Sequence, residues 1–407
     1  MKQPTNPDTT SSRHSRSENC NVKELLVREH RYRRTEVILL SIAAGIIAIL
    51  LGFLLVLETG HIKYAHQYSD GAVFSGYWRF GEPYGKGLLA TQTGKLYEGV
   101  WDEKGNLTQG TLIARDYTYV GDFRDYLPQG FGSCRYLTGD SYYGQWADGY
   151  KNGIGKYLTA DGELKFGRWE KGTLLVPEGQ EYEAGSHIYG MDVSNHQKSI
   201  DWETLALFAD NKGVVNGTLK SSPYLQPVLF ALVKSTEGAD MKTESFTRNF
   251  EEAKRVGIVR GAYHFMRTSD IDRQIKNFID NTPLEKGDLP PVLDLELSHR
   301  TMRREGKKVR AYAHKWLEAM EKHYGVRPIL YTYETYYNDY LKGHGFEKYD
   351  FFIARYNPEI EPRVPHLEIW QFTEKGTVEG ITTNVDLDVF VGDYRNFEEY
   401  VATKGIQ

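Results

Sequence analysis

Apolar residues follow three different patterns along the chain, and each pattern predicts a different kind of element. Residues 37–57 are an unbroken apolar run without a charge. Between about residues 68 and 172, apolar and polar residues alternate in short segments separated by glycine, which is typical of β-hairpins. After residue 189, apolar runs of strand length alternate with segments of helical periodicity. The sequence therefore predicts a transmembrane helix, an all-β region and an α/β domain.

The first apolar run is long enough to span a membrane. Its 21 residues, Val37–Leu57, match the roughly 20 residues with which a helix crosses a bilayer. A signal peptide has a shorter core and a small-residue cleavage site, and the residues after Leu57 contain no such site. Four arginines lie within the nine residues before the run and only Lys63 follows it closely, so the positive-inside rule places residues 1–36 in the cytoplasm. We therefore expect a single-pass anchor with the rest of the chain outside the cytoplasm.

A repeat of about 23 residues follows the anchor. An aromatic residue, a glycine two positions later and Trp or Phe two further on recur five times, in steps of 23, 22, 23 and 23 residues. The copies begin at Phe74, Tyr97, Tyr119, Tyr142 and, with lysine in the aromatic position, Lys165. The alternation predicts strands and the glycines are expected in tight turns, so each copy predicts a hairpin that is stabilised by stacking on its neighbours.

The five copies resemble MORN repeats over residues 68–172, which implies an all-β array of hairpins. The array is either a docking surface for a protein, lipid or glycan partner or a spacer between the membrane and the next domain. A polar, glycine-containing linker at residues 173–188 then leads to a domain that spans residues 189–395.

Eight apolar runs of strand length lie in the C-terminal domain. They are YGMDVS (189–194), VLFALVKSTEG (228–238), VRGAYHF (259–265), PPVLDLEL (290–297), RPILYTYE (327–334), YDFFIARY (349–356), HLEIWQF (366–372) and NVDLDVF (384–390). Helical patterns fill several of the gaps, which indicates a parallel sheet with helical crossovers. Eight such strands in about 205 residues predict a (β/α) barrel of the TIM-like type.

Polar residues lie late in these runs, where barrel active sites form. They are the acids Asp192, Glu237, Asp294, Glu296, Asp386 and Asp388, together with Lys234, Tyr263, His264, Tyr331, Tyr333, Trp370 and Gln371. Asp294 and Glu296 lie two apart in one apolar run, so both side chains point to one side of the strand. Of two such carboxyls, one is expected to keep its proton while the other stays charged. Glycoside hydrolysis requires that division, and aromatic rings suit sugar faces.

The order of short motifs resembles that of glycoside hydrolase family 25, the Chalaropsis-type lysozymes. The motifs are GMDVSNHQ, ALVKSTEG, GAYHF, VLDLEL, ILYTY, FIARY, IWQF and VDLDVF, and they cover residues 189–394. The resemblance implies a flattened β/α barrel whose last strands lose their helices. It also implies hydrolysis of the β-1,4 bond between N-acetylmuramic acid and N-acetylglucosamine in peptidoglycan.

Roles for individual residues follow from the same resemblance. Glu296 matches the general acid, and Asp294 matches the carboxylate that orients and stabilises the 2-acetamido group of the substrate. The other matched positions are an acidic floor (Asp192, Asp386), an aromatic wall (Tyr263, Tyr331, Trp370) and further substrate contacts (His264, Lys234, Gln371, Asp388). Asp388 stands where the family often has Asn, and an extra carboxyl there is expected to raise neighbouring pKa values and favour acidic conditions. Lys234 and Glu237 either belong to the site or form a structural ion pair.

The composition of the chain gives no indication of nucleic-acid binding, of a disulfide or of a metal site. The net charge of −5 indicates no nucleic-acid binding, which usually requires a basic patch. Cys20 and Cys134 lie on either side of the membrane run, so no disulfide between them is expected, and no metal or cofactor is indicated by the spacing of ligand residues. We therefore expect a membrane-anchored muramidase of cell-wall remodelling or turnover. The alternative is a non-catalytic glycan-binding scaffold that docks partners through its repeats.

Overall fold

Two compact units make up the chain, whose computed structural model describes residues 14–59, 62–357 and 360–407. The first unit is formed by Met1–Leu89 and Val100–Gly105, and the second by Ala90–Gly99 and Asn106–Gln407. Every residue expected at the site therefore belongs to the second unit.

The first unit contains one long helix and a few strands. Helix α1 spans His14–Thr59, and its side chains are exposed from residue 28 to residue 56. The segment Arg28–Val56 can cross a membrane by length and composition, a test that a signal sequence also passes. The strands are β1 (Ile62–Gln67) and β2 (Val73–Arg79), which pair antiparallel, and β3 (Glu82–Ala90).

The repeat region of the second unit forms an antiparallel sheet. After β4 (Leu96–Trp101), which has residues in both units, its strands are β5 (Leu107–Ile113), β6 (Tyr117–Arg124), β7 (Leu127–Tyr136), β8 (Ser141–Ala147), β9 (Tyr150–Leu158), β10 (Leu164–Glu170) and β11 (Thr173–Leu175). Strands β5 to β11 pair in chain order, and we call them the repeat sheet.

Glycines of the repeat sheet lie inside strands as well as in turns. Gly132, Gly144 and Gly155 are direct neighbours across β7, β8 and β9. A Cβ atom on Gly155 would collide with the hydroxyl of Tyr142. These glycines therefore make room for a tyrosine ring that lies across the sheet, a role that the pattern of glycines and aromatics did not predict.

Repeat aromatics hold neighbouring hairpins together. The rings of Tyr119 and Trp146 meet edge to face with centroids 5.2 Å apart, and those of Tyr142 and Trp169 with centroids 5.5 Å apart. Each tryptophan also donates its indole N–H to a glycine carbonyl of the preceding strand. All four rings are buried, so they stabilise the sheet and are not available to a partner.

A closed barrel of eight strands follows the repeat sheet. Its strands are β12 (Ile188–Val193), β15 (Phe230–Glu237), β17 (Val259–Phe265), β18 (Val292–Asp294), β19 (Ile329–Tyr333), β20 (Asp350–Ala354), β21 (Leu367–Gly376) and β23 (Val385–Phe390). Outside the barrel, β13 (Ala206–Phe208), β14 (Leu225–Gln226) and β22 (Val378–Glu379) form a small sheet, and β16 (Met241–Lys242) pairs with β15. The barrel closes because β12 pairs with both β15 and β23.

Few helices surround the barrel. They are α2 (Phe246–Arg255), α3 (Ile271–Asn281), α4 (His299–Tyr324), the single turn α5 (Glu334–Tyr336) and α6 (Tyr394–Lys404), with a 3₁₀ turn at Asn195–Gln197 and a π-helical turn at Tyr337–Leu341. Only the connections β15–β17, β17–β18 and β18–β19 contain a helix longer than two turns, and the described residues between β20 and β21 contain none.

The prediction of a TIM-like (β/α) barrel is wrong. Strand β23 runs antiparallel to both of its neighbours, β12 and β21, whereas all strands of a TIM barrel are parallel. The reason lies in residues 377–384, because a return to a parallel strand requires a crossover of a dozen or more residues and this connection is shorter. The fold is therefore mostly β, with a large antiparallel sheet and a mixed eight-stranded barrel.

The repeat sheet packs against the base of the barrel. Leu158 and Leu164 of β9 and β10 join the hydrophobic cluster that contains Ile188 and Phe230, the first residues of β12 and β15. Lys156 donates a hydrogen bond of 2.7 Å to the carbonyl of Gly257, in the loop that leads to β17. The repeats therefore cover the end of the barrel at which the parallel strands begin, and the opposite end stays open.

Candidate active site

Four carboxylic acids predicted from the sequence converge on one open cavity. Asp192 lies in β12, Asp294 ends β18, Glu296 follows two residues later, and Asp386 lies in β23. Alternate residues of an extended chain point to opposite sides, and the intervening Leu293 and Leu295 pack into the core outside the barrel. This alternation explains why an apolar strand directs two acids to the same place.

Burial is the main cause of the raised pKa values of these four acids. Burial, followed by the charge of Asp386, raises the pKa of Asp192 well above its usual value. Burial and then the charge of Glu296 do the same to the pKa of Asp294. Glu296 and Asp386 are only half-buried, and burial raises the pKa of each to about 6. The cavity therefore holds carboxyls that keep protons close to neutral pH, as general acid catalysis requires.

An ion-paired lysine lies beside these acids. Lys234 lines the cavity, and its Nζ lies 2.6 Å from Glu237, whose other oxygen lies 2.5 Å from Arg267. The positive charge of Lys234 opposes burial and lowers the pKa values of Asp294 and Glu296. Lys234 is thus both a member of an ion pair and a charge that acts on the acids.

Within the described residues, no group of three His, Cys, Asp or Glu side chains is arranged to hold a metal ion.

Aromatic side chains form much of the cavity wall. They are Tyr263, Phe265, Tyr331, Tyr333, Phe352 and Tyr356. Burial and the surrounding acids raise the pKa of Tyr263 well above its usual value, so its hydroxyl stays protonated. Rings of this kind offer flat apolar faces and polar edges, which match the faces and hydroxyls of a sugar.

Gln371 lies at the centre of a hydrogen-bond network on the cavity floor. Its Nε2 donates to Asp192 Oδ2 at 2.6 Å. Its Oε1 accepts from the hydroxyls of Tyr331 and Tyr356 at 2.9 and 3.0 Å. The Tyr356 hydroxyl lies 3.3 Å from that of Tyr333. The network therefore links residues of β12, β19 and β21 to the chain just after β20.

Several known proteins are similar to this chain. A bacterial lysozyme structure from Streptomyces coelicolor shares 26% identity and a TM-score of 0.44, covering 54% of this chain and 98% of that one. Lysozyme M1 of Streptomyces globisporus is 28% identical over 221 residues, which are 51% of this chain and 69% of that protein. The uncharacterized protein YegX of Escherichia coli K12 is 31% identical over 218 residues, 53% of this chain and 73% of that protein. Residues 191–381 match the model of glycosyl hydrolases family 25.

The chain belongs to glycosyl hydrolase family 25. It is accordingly a glycoside hydrolase of the lysozyme type, a muramidase that acts on peptidoglycan. The match begins one residue before Asp192 and includes Asp294 and Glu296. It ends before Asp386, which the fold nevertheless brings to the same cavity through β23.

Three residues predicted at the site do not line the cavity of the family 25 domain, and the first two are His264 and Trp370. His264 points from β17 toward the helices, where its ring stacks on Trp316 and its Nδ1 lies 2.7 Å from the Thr236 hydroxyl. Burial lowers the pKa of His264 to about 4, so it is neutral there. Trp370 donates its indole N–H to the carbonyl of Arg355 at 2.9 Å and does not line the cavity. Both residues lie on the outer side of the cavity wall and stabilise it there.

Asp388 is also absent from the cavity lining. It is fully buried, and neither carboxyl oxygen has a hydrogen-bond partner among the described residues. Burial and then the charges of Asp192 and Asp386 raise its pKa well above the usual value, so Asp388 is a neutral acid. The extra carboxyl expected from the sequence therefore lies beneath the floor and not in the substrate space.

Sequence reasoning missed several residues that line the cavity. Tyr356 and Phe265 stand at the ends of runs already identified as strands, so the position rule that found Asp294 would have found them too. Glu374 lies in β21 beyond the end of the predicted run, and His196 lies in the 3₁₀ turn after β12. The apolar pattern carries no signal for these last two, because it ends before them.

Proposed function

We propose that this chain is a membrane-anchored muramidase that hydrolyses the β-1,4 bond between N-acetylmuramic acid and N-acetylglucosamine in remodelling or turnover of the cell wall. The observation that carries the proposal is one open cavity lined by Asp192, Asp294, Glu296 and Asp386. Glu296 has its pKa raised to about 6 by burial and is therefore partly protonated near neutral pH. Such a group is suited to donate a proton to the oxygen of a leaving sugar.

Glu296 and Asp294 divide the work in a retaining pathway assisted by the substrate. Glu296 gives its proton to the glycosidic oxygen while the oxygen of the substrate's acetamido group attacks the sugar carbon and the bond to the leaving sugar breaks. Asp294 accepts a hydrogen bond from the acetamido N–H and stabilises the positive charge of the resulting ring. Its buried Oδ1 has no donor among the described residues, which supports this role. Water then adds to the sugar carbon as the bond from that carbon to the acetamido oxygen breaks, and the water gives a proton to Glu296.

The remaining cavity residues receive supporting roles. Asp192 and Asp386 form the acidic floor, and Tyr263 and Tyr331 form part of the wall against which the sugar rings lie. Lys234 keeps the pKa values of Asp294 and Glu296 from rising further. No cofactor takes part in this mechanism.

The N-terminal helix supplies the anchor in this proposal. The apolar residues of α1 are exposed in the structure, and Arg28, Arg31, Arg33 and Arg34 precede them. The positive-inside rule favours a cytoplasmic tail of residues 1–36 and a hydrolase outside the cytoplasm, where peptidoglycan lies. We assign the hairpins of residues 68–172 to MORN repeats. A reporter fused after residue 60 tests the orientation, and reporter activity confined to the cytoplasm would overturn it.

Product analysis tests the chemistry. The full chain in detergent micelles is incubated with purified peptidoglycan, and the products are identified by mass spectrometry. The expected products end in reducing N-acetylmuramic acid, whereas reducing N-acetylglucosamine would show cleavage of the other bond. Glycan binding without products would favour the scaffold alternative, against which the cluster of buried acids argues because a binder has no need of it.

A further inference from the structure

Asp192 and Asp386 form a pair of acids across two neighbouring strands. They are directly opposite residues of the paired strands β12 and β23, and their carboxyl groups are hydrogen-bonded to each other. Two carboxyls can form such a bond only if one of them carries a proton, because an ionised carboxyl is an acceptor only. The pair therefore carries a single negative charge when one proton remains. The position of that charge depends on which oxygen holds the proton.

Gln371 stabilises the ionised form of the acid pair. Its Nε2–H group donates to Asp192 Oδ2 at 2.6 Å, so this oxygen acts as an acceptor. An N–H donor stabilises a charged carboxyl more than a neutral one, so this bond lowers the pKa of Asp192. The hydrogen bond opposes the effect of burial, because Asp192 is the more deeply buried of the two acids and is the costlier one to charge.

Two tyrosines fix the orientation of the Gln371 amide. The hydroxyls of Tyr331 and Tyr356 both donate to Gln371 Oε1, so the carbonyl end faces them and the NH₂ end faces Asp192. Tyr356 has only one proton to give, so Tyr333 donates to Tyr356 across their 3.3 Å separation. Each hydrogen bond of this chain therefore points toward Asp192. Tyr333 donates to Tyr356, Tyr356 to Gln371, and Gln371 to Asp192.

We propose that Gln371 is a positioning residue, which holds Asp192 against Asp386 and stabilises the single negative charge that the two acids share. This inference rests on the proposed role of Glu296 as the proton donor. The charge of Asp386 is one of the causes that raise the pKa of Glu296. Gln371 thus helps Glu296 to keep its proton although it does not contact Glu296.

Other charged and titratable groups also face the acid pair or Glu296. They are Tyr263 of β17, Asp294 of β18, Glu374 of β21, Asp388 of β23, His196 of the 3₁₀ turn, Lys234 of β15 and Arg267 after β17. A change at Gln371 leaves all of them in place. A shift caused by such a change is therefore attributable to the lost amide.

The test replaces Gln371 by methionine, which has a similar length and no hydrogen-bonding group. The hydrogen bond from Gln371 lowers the pKa of Asp192, so its loss keeps the acid pair neutral to higher pH. Glu296 then loses a neighbouring negative charge, and its pKa falls. In full-length protein in detergent micelles, carboxyl ¹³C NMR should show Asp386 titrating at higher pH. The alkaline limb of the kcat/KM profile on peptidoglycan should move to lower pH.

Two further variants separate positioning from a structural effect. Gln226→Met removes another buried amide, one that bonds Gly213 and Gly185 far from the acids, and it should lower stability without moving either titration. Tyr356→Phe removes one of the two hydroxyls that orient the amide, at a ring that is 41% exposed, and should shift both titrations less than Gln371→Met does.

An unchanged Asp386 titration in both Gln371→Met and Tyr356→Phe would overturn the proposal. So would a rise in KM alone for Gln371→Met, which would instead mean that the amide binds substrate. The NMR titration requires no turnover. It therefore decides the role of Gln371 even if the wild-type protein releases no reducing muramic acid, a result that would refute the proposed function separately.

Discussion

Replacing Asp294 by asparagine tests whether the titrations of Asp294 and Glu296 depend on each other. Asp294 is buried, and the charge of Glu296 adds to burial in raising its pKa well above the usual value. A pair of this kind loses its protons in two steps that belong to both groups. The first proton leaves mainly from Glu296, at about pH 6, and the second leaves at higher pH. In the proposed mechanism the active form keeps one proton, which lies on Glu296 once the substrate's N–H group binds Asp294.

The size of the effect follows from these two steps. The alkaline limb of the wild-type kcat/KM profile reports loss of the last shared proton, so it lies above pH 6. Asparagine can hold neither the proton nor a charge. In the Asp294→Asn variant, Glu296 therefore titrates alone, and the alkaline limb of the profile falls to about pH 6. At pH 8 roughly 1% of Glu296 would then remain protonated. Loss of the negative charge that supports the cationic transition state should lower kcat a further ~10²–10³-fold.

Release of reducing ends from purified peptidoglycan, followed from about pH 4 to pH 9, measures both effects. Asp272→Asn is a suitable control, because Asp272 is exposed on α3 and pairs with Lys315. An alkaline limb at the same pH in wild type and Asp294→Asn would refute the reasoning. It would show that the two carboxyls are not coupled, and the partner of Glu296 would then be Asp192 or Asp386.

Three further changes give separate tests. Glu296→Gln removes the transferable proton and should lower turnover ~10²–10⁴-fold, while co-sedimentation with insoluble peptidoglycan shows unchanged binding. Lys234→Met removes a charge that lowers the pKa of Glu296, so the alkaline limb should move to higher pH; a shift to lower pH would contradict the assigned sign. Leu164→Ala should lower the free energy of unfolding by about 2–5 kcal/mol in denaturant titrations, whereas Leu137→Ala, at a side chain 81% exposed, should leave it nearly unchanged.

Strand positions in the barrel were predictable because buried strands appear as apolar runs of limited length. The eight runs named from the sequence each overlap one strand of the closed barrel. Strand direction was not predictable in the same way, since β23 has the same apolar character as the parallel strands of the barrel. Only the short connection before Val385 indicated an antiparallel return, and the alternation of strands and helices in the first half concealed it. The TIM-like prediction failed at that step.

The acids of the site could be predicted from the residues next to them in the sequence. The hydrogen bonds that join these acids to other strands could not. Asp294 and Glu296 are recognisable because two charges inside an apolar strand are costly and alternate residues share a side. His264 follows Tyr263 directly, so the same alternation places it on the opposite face of β17, and pattern reasoning could have excluded it. The contacts of Gln371 with Asp192 and Tyr356 join distant parts of the chain. No local pattern predicts such contacts, because they depend on barrel closure.

The base of the barrel explains why the repeat sheet is more than a spacer. Leu164 is 6% exposed and packs in the same cluster as Phe230, which lies inside the barrel. Lys156 reaches across to the Gly257 carbonyl, and burial lowers the pKa of its amine to about 8, so the contact is made away from water. A hairpin that only held the barrel away from a membrane would not need to bury a leucine against it and to form a hydrogen bond with it through a lysine. The last repeats therefore complete the hydrophobic core of the hydrolase, and the acids at the open end depend on a barrel that these hairpins help to close.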